Sequence, residues 1–594
     1  MPDEGYPPIG DYALIADSNS AALVSRSGSM DWCCIQRVDA GSCFGRILDR
    51  KRGGFCSISP TGDEWDVSRR YLDETLVLET TFTTGGGEVR LYDFFAMPAS
   101  EEEHRQIVRI VEGVRGHVEL EIRVAPRFDY GEIDPWIRQE GARLFSAIGG
   151  NDGLLIHSDA DVGISDTDEI SAKVDVHAGD RVHLSILSVP PARLDRDLPE
   201  PPGAEELDRR LEETVEWWRG WASGMRFKGR YRPGVLRSAI TIKALMNEMT
   251  GAVAAAATTS LPEIPGGSAN WDYRYSWIRD SFFSVRSLAE VGFEEEADAF
   301  RRFIERSAAG NARKLQIMYG VGGERTLVER ELGHLEGYRG ARPVRVGNLA
   351  AGQMQLGVFG QLLELSWRWH KRGNSPDDDY WRFIVDLVNT AAERWSEPDA
   401  GIWEKRGDPE HFVYSKAGCW CALDRGIKLS EECMRRAPTT RWRKVREEIR
   451  EAIESDGYDE ERGVFVRAFG SKDLDGALLL LPETGFVDYD DERMVRTTDA
   501  IRRELDDDGL IRRFPGNPQE GAFLACSFWL AECLARQKRS DEAQEVFDRA
   551  LATGNDLGLF SEEYDVESGE LLGNFPQVLT HLAHISAAVA ISEG

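Results

Sequence analysis

Glu520-Gly521-Ala522-Phe523-Leu524-Ala525-Cys526-Ser527-Phe528-Trp529-Leu530-Ala531-Glu532-Cys533-Leu534-Ala535-Arg536 is small or apolar nearly all round, and the stretch that follows it, 540–553, carries dense charge on one face. A helix that is apolar on every side is buried, whereas one with a single apolar stripe lies outside. The pair therefore reads as an inner helix followed by an outer one. The same alternation recurs through the C-terminal two-thirds. Helical patterns span 233–249, 277–290, 293–308, 349–371, 376–395, 415–431, 438–455, 473–482, 489–505, 520–536, 540–553 and 576–592. The fourth, sixth, eighth, tenth and twelfth are small or apolar throughout, and the odd-numbered ones from the third onward carry one charged face. Six inner helices alternating with six outer ones form a double-layered helical barrel. A solenoid also pairs helices, but no sequence repeat is present.

The N-terminal third has a different period. Leu76 to Phe82, the glycine turn Gly85-Gly86-Gly87 and Val89 to Tyr92 read as a hairpin. Ile107 to Val111 and Val118 to Val124, turning at Arg115-Gly116, read as a second. Further short strands are expected near 13–16, 21–25, 31–36, 54–59, 153–157, 170–175 and 182–189. Close-spaced strands with turn signals predict a β-sandwich. Five prolines between Pro190 and Pro202 mark a linker, and 204–222 reads as a charged helix whose Trp217, Trp218 and Trp221 pack between domains. The fold class is thus multidomain, β plus all-α. Residues 1–202 form the sandwich, 203–230 the linker helix and 231–594 the helical barrel.

With 594 residues, 41% hydrophobic and 29% charged, the chain has the composition of a soluble globular protein. Its net charge of −31 repels phosphate backbones and anionic membrane surfaces, so no nucleic-acid or membrane partner is expected. No apolar run reaches about 18 residues, and Met1-Pro2-Asp3-Glu4-Gly5 lacks the features of a secretory leader. The nine cysteines show no zinc spacing and read as reduced core residues, which places the protein in the cytoplasm. No metal or other cofactor is expected: Gly320-Val321-Gly322-Gly323 lacks a phosphate-loop lysine, and His411, His581 and His584 are not grouped as ligands. Self-association is left open.

Segments that enter inner helices open at one end of such a barrel. They hold Trp271-Asp272-Tyr273-Arg274-Tyr275-Ser276-Trp277-Ile278-Arg279-Asp280, Gly337 to Asn348, Gly401-Ile402-Trp403-Glu404-Lys405-Arg406-Gly407, Arg512-Arg513-Phe514, and Phe560-Ser561-Glu562-Glu563-Tyr564-Asp565. Aromatic faces beside arginines and carboxylates suit a sugar, whose C–H face packs on a ring while its hydroxyls bond charged groups. Glycosidic cleavage needs two carboxyl groups on opposite faces of the bond, and Glu404 and Glu562 lie on separate loops of this set. Arg279 and Asp280 also read as a simple helix-start ion pair.

Among these, Trp271 to Asp280, Gly337 to Asn348, Gly401 to Gly407 and Glu562 to Asp565 resemble the signatures of glycoside hydrolase family 15, together with Thr259-Ser260-Leu261-Pro262-Glu263, Gln316 to Arg325, Leu572 to Gln577 and Ile9-Gly10-Asp11-Tyr12. The set is most similar to the bacterial and archaeal trehalase and glucoamylase-like group. The resemblance implies an N-terminal β-sandwich joined to an (α/α)6 barrel, and hydrolysis with inversion. It implies Glu404 as general acid and Glu562 as general base. Arg279 and Asp280 would bind the terminal glucose, and Trp271, Tyr273, Tyr338, Arg345, Trp403 and Arg406 would complete the substrate site. One segment departs from the family: Gln355-Leu356-Gly357 and Gly360-Gln361 lack two acidic groups expected near the pocket wall. The implied substrate is a small neutral α-glucoside, with trehalose ahead of malto- or isomalto-oligosaccharides. A reading from another class is a carbohydrate-binding protein without turnover.

Overall fold

The structure is a computed structural model and describes residues 5–62, 64–98, 105–165, 169–196, 198–308, 312–516 and 520–593. The N-terminal residues read for a leader lie mostly outside this range.

All N-terminal strand pairings are antiparallel, and they form two half-sheets. One contains Tyr12–Ala16, Ala21–Ser25, Ser29–Cys34, Phe55–Pro60 and Ile170–His177. The other contains Trp65–Tyr71, Leu78–Thr84, Gly87–Phe95, Arg181–Ser188, Asp152–Ser158, Leu144–Gly149 and Trp136–Gly141. The expected hairpin across Gly85 to Gly87 is present. The second expected hairpin is absent. Gln106–Ala125 is one continuous strand whose first part pairs with Gly87–Phe95 and whose last part pairs with Phe55–Pro60. A bulge between Glu88 and Val89, with Gly116 at φ 62°, bends the strand instead of reversing it. The strand thus passes from one half-sheet to the other, and their inner faces share one apolar core. Arg109 crosses that core: it pairs with Asp93 at 2.6 Å and donates to the carbonyls of Cys56 and Gly28 at 2.7 Å.

Helix α1 (Ala204–Ala222) touches both domains. Leu207 packs with Val77, Tyr92 and Phe94 of the sheet, while Trp221 stacks on Phe293 at 4.0 Å on the helical side.

The C-terminal region contains α2 (Arg232–Ala244), α3 (Ile278–Val291), α4 (Glu294–Ala308), α5 (Gly357–Lys371), α6 (Asp378–Arg394), α7 (Val413–Glu432), α8 (Thr439–Asp456), α9 (Glu492–Glu504), α10 (Leu524–Arg536), α11 (Ser540–Leu551) and α12 (Val578–Glu593). The inner ring comprises α3, α5, α7, α10 and α12, with α12 packing back onto α3 to close it. Its members are buried around most of their circumference, as the composition of 520–536 requires. Gly360 and Gly418 let α5 and α7 meet backbone to backbone: a Cβ on Gly360 would stand 2.3 Å from the Gly418 carbonyl oxygen.

Three expected helices differ. The eighth, 473–482, is reduced to the 3-10 turns Gly476–Leu480 and Pro482–Thr484, because Pro482 cannot continue a helix and Gly485 leaves it at φ 73°. The fourth begins at Gly357 instead of 349. Asn348 caps a separate turn, Leu349–Gly352, and Asp399 then takes the Leu356 N–H at 2.8 Å. The first ends at Ala244 and is almost wholly covered, since Arg237 lies over the Tyr71 ring and donates to the Thr75 carbonyl of the β domain. Its missing charged face is explained by that cover.

Candidate active site

The loops entering the inner helices surround a cavity of about 330 Å³, lined among others by Glu263, Trp271, Tyr273, Trp403, Glu404, Arg406, Tyr414, Asp475, Arg513 and Phe514. It continues into a smaller recess bounded by Tyr273, Trp277, Arg279, Trp403, Glu404, Arg513 and Glu562. Glu404 and Glu562 therefore meet at the deep end.

A tight turn presents Glu404. Gly401 takes φ 70°, the Lys405 N–H returns to the Ala400 carbonyl at 3.1 Å, and Glu404 itself sits at φ 57°. A non-glycine residue in this region carries local strain, held here by the surrounding bonds. Ala400 is tied to the Met354 carbonyl, and Gln353 donates to the Glu404 carbonyl at 3.2 Å. The Trp277 indole donates to Glu404 Oε1 at 2.7 Å, and Arg279 Nη1 donates to the same oxygen at 3.3 Å. Burial raises the Glu404 carboxyl above its ordinary value, against the opposing pull of Arg279 and Trp277.

Glu562 precedes the short strand Glu563–Asp565, and its carbonyl accepts the first N–H of α10, from Leu524, at 3.1 Å. The Tyr273 hydroxyl donates to Glu562 Oε1 at 3.1 Å, while Oε2, buried, has no partner in the protein. Gly573, at φ 79°, closes over this carboxylate: a Cβ there would lie 3.2 Å from Oε2 and crowd it, in a backbone region that favours glycine. Burial raises the Glu562 carboxyl well above its ordinary value, and the charge of Glu263 adds to the shift while Arg513 opposes it.

The other expected residues divide into groups. Arg279 reaches the deep recess and is held by Asp280 at 2.7 Å and by the Ile402 carbonyl at 2.9 Å. Asp280 stands behind Arg279, buried, and borders neither cavity. Trp403 lines both compartments and donates its indole N–H to Asp475 at 2.7 Å. Trp271 lines the outer cavity with Arg406, whose guanidinium lies 3.8 Å from its ring centre. Arg345 backs Trp271 at 4.6 Å and does not line the cavity.

Tyr338 is displaced from its expected place. Its ring packs on Tyr6 and its hydroxyl donates to the Pro7 carbonyl at 2.8 Å, so it fastens the N-terminal segment and does not line the cavity. Gly357 and Gln361 are not on the cavity wall either. They flank a small space behind Tyr414, whose hydroxyl is 3.4 Å from Gln361 Nε2. The departure from the family pattern thus lies one layer beneath the site.

Three site residues went unassigned from sequence. Arg513 pairs with Glu263 at 2.9 Å and with Glu563 at 3.1 Å, and its Nε donates to Glu520 at 2.6 Å. Glu263 also faces the Tyr273 hydroxyl at 3.3 Å. Asp475 caps the short turn that replaces the eighth helix, and burial pushes its carboxyl up to about 6. The first two stood in motifs already singled out. Asp475 gave no signal, because its segment was read as an apolar helix. Among the described residues no group of three or more His, Cys, Asp or Glu side chains is placed to hold a metal ion.

The profile of glycosyl hydrolases family 15 matches residues 229–589, and that of the trehalase-like N-terminal domain matches residues 3–188. The chain belongs to glycosyl hydrolase family 15. This family 15 hydrolase is 38% identical to a trehalase of Mycolicibacterium smegmatis over 99% of its own length and 91% of the relative's. It is 34% identical to a trehalase of Thermoplasma volcanium, covering 99% of this chain and 94% of that one. A bacterial glucoamylase crystallised with acarbose superposes with a TM-score of 0.73 at 11% identity, covering 100% of this chain and 95% of the other. That likeness shows the fold: an antiparallel sheet domain followed by an (α/α)6 barrel.

Proposed function

We propose that this family 15 hydrolase is an inverting α,α-trehalase, with Glu404 as general acid and Glu562 as general base. The supporting observation is the complementary bonding of the two carboxyls at the deep end of one cavity. Trp277 and Arg279 both donate to Glu404 Oε1, so the proton of its acid form belongs on Oε2. That oxygen protonates the glycosidic oxygen as the bond breaks. Tyr273 donates to Glu562 Oε1, which leaves the unpartnered Oε2 to take a proton from water on the opposite face of the sugar. Arg279 supplies hydrogen bonds to the terminal glucose, and Asp280 fixes its guanidinium plane. Raised carboxyls at both positions match a site that must hold one acid protonated near neutral pH. Glu562 must lose its proton before it acts, and Arg513 and Tyr273 favour that ionised form.

Near-full-length similarity to two trehalases supports the choice of substrate. The outer cavity, near the small end of the roughly 300–1,000 Å³ typical of ligand pockets, suits a disaccharide. The acidic surface fits a neutral substrate that needs no complementary field. We place the protein in the cytoplasm, since its nine cysteines are all unpaired and no helix among the described residues is long and apolar enough to cross a membrane. Glucose release from trehalose, maltose and isomaltose, by wild type beside Glu404→Gln and Glu562→Gln, tests the reading. Turnover of trehalose ahead of the other two supports it. Preference for maltose or isomaltose would make the enzyme a glucoamylase-like hydrolase, and no turnover of any would favour a binding protein.

A further inference from the structure

At the exposed side of the cavity lies a feature that the proposed acid–base pair does not use. Arg406 follows the acid loop, and its guanidinium lies face-on to Trp271 at 3.8 Å. The same guanidinium forms a two-pronged pair with Glu329, Nη2 to Oε2 at 2.8 Å and Nη1 to Oε1 at 3.3 Å. Glu329 comes from a different loop and does not border the cavity. Its side chain is only 9% exposed and is held from behind: the Leu349 N–H donates to Oε2 at 3.1 Å, and Arg345 Nε lies 3.6 Å from Oε1. Burial alone would raise this carboxyl, but the Arg406 and Leu349 bonds outweigh it and leave it below its ordinary value. Arg406 is thus seated by a pre-organised carboxylate, unlike a solvated surface arginine.

Position gives the pair its meaning. Glu562 is 4% exposed and the Glu404 side chain 17%, whereas the Arg406 side chain is 40% exposed. The cavity therefore runs from the two catalytic carboxyls outward to Arg406. At about 330 Å³ the outer cavity is small for a ligand pocket, and at its exposed side Arg406 bridges Trp271 to Glu329.

We propose that the Arg406–Glu329 pair is a clasp over Trp271 that limits the substrate to two sugar units, so that Glu329, without touching substrate, determines selectivity for disaccharides over longer α-glucosides. The proposal rests on the α-glucosidase reading of the site but not on which disaccharide is cleaved. It treats specificity as exclusion of the longer competitor, not as tighter binding of the shorter one.

The test uses the full-length chain in a Glu404→Gln background, where turnover is slow beside binding, and measures the binding of trehalose, maltose and maltotriose by calorimetry. With the clasp intact, a disaccharide binds more tightly than maltotriose. Arg406→Ala and Glu329→Gln each improve maltotriose binding relative to the disaccharide by about tenfold, and the double variant gains no more than either single one, as expected for two residues acting as a unit. Arg406→Lys, which keeps the charge but loses the fork, behaves like Arg406→Ala. Near-UV circular dichroism confirms that each variant is folded. The proposal is overturned if the selectivity ratio is unchanged in Glu329→Gln, or if Arg406→Ala weakens all three sugars equally while Glu329→Gln does nothing. Turnover of trehalose by the wild type is read separately, so loss of the trehalase reading and loss of the clasp give different results.

Discussion

Trp277 and Glu404 are joined by a hydrogen bond of 2.7 Å from the indole N–H to Oε1, and Arg279 donates to that same oxygen. Two donors on one oxygen determine where the acid's proton sits. Glu404→Gln is expected to lower kcat on trehalose by about 10²–10⁴-fold, the usual worth of a positioned acid or base. The variant should keep substantial activity on α-glucosyl fluoride, whose leaving group needs little protonation. Glu562→Gln should lose both activities. If instead Glu562→Gln turned over the fluoride and Glu404→Gln did not, the two roles would be reversed.

Tyr273 acts on the base in a parallel way. Its hydroxyl favours the ionised form of Glu562, whose carboxyl burial and Glu263 push upward. Tyr273→Phe removes the stabilising donor, so the apparent pKa of the base rises further. The limb of the kcat/KM profile that reports Glu562 should move to higher pH, with the limb that reports Glu404 moving less. A profile with neither limb moved would detach Tyr273 from the base.

Gly573 is needed for space and backbone sign together. Gly573→Ala places a methyl about 3 Å from Glu562 at φ 79°. Loss of roughly 1–3 kcal/mol of stability is expected from a residue forced into that region. Activity should fall by more than stability explains, because the displaced atom is the oxygen proposed to take the proton from water. Unfolding curves alongside kcat at 25 °C separate the effects.

Asp475 gives a stability signature. Its carboxyl rises from 3.8 to about 6 in the folded state, chiefly through burial. A carboxyl with a raised folded pKa stabilises the fold fully below its unfolded pKa, and this contribution is lost as pH rises through the folded value. It amounts to about 3 kcal/mol between pH 3.8 and pH 6. Asp475→Asn keeps an acceptor for Trp403 but cannot ionise, so its unfolding free energy should change less with pH across that window. Denaturant titrations at several pH values measure the difference, and parallel curves for both proteins would contradict the assignment.

What could be read before the structure depended on how each feature is encoded. Helix burial was legible because it is a matter of composition: residues 524–536 lack a polar face, and α10 is enclosed on every side. The strand Gln106–Ala125 was misread because a bend at glycine and a reversal at glycine use the same residue. That Glu404 and Glu562 share one recess was suggested only by motif resemblance, since nothing in the local sequence around either requires them to face one cavity. Tyr338 and Asp475 exchanged roles for one reason. A tyrosine in a signature loop can serve to anchor the N-terminus, and an aspartate in an apolar run can cap a turn at the cavity, and each depends on contacts far away in sequence.

The central claim is inversion at trehalose by Glu404 and Glu562. Its most direct test is proton NMR of the anomeric signals during the first minutes of trehalose hydrolysis, before mutarotation. Inversion releases one β-glucose from the attacked unit and one α-glucose from the leaving unit, so the two anomers should appear in equal amounts from the start. Initial release of α-glucose alone would mean retention and would contradict the account.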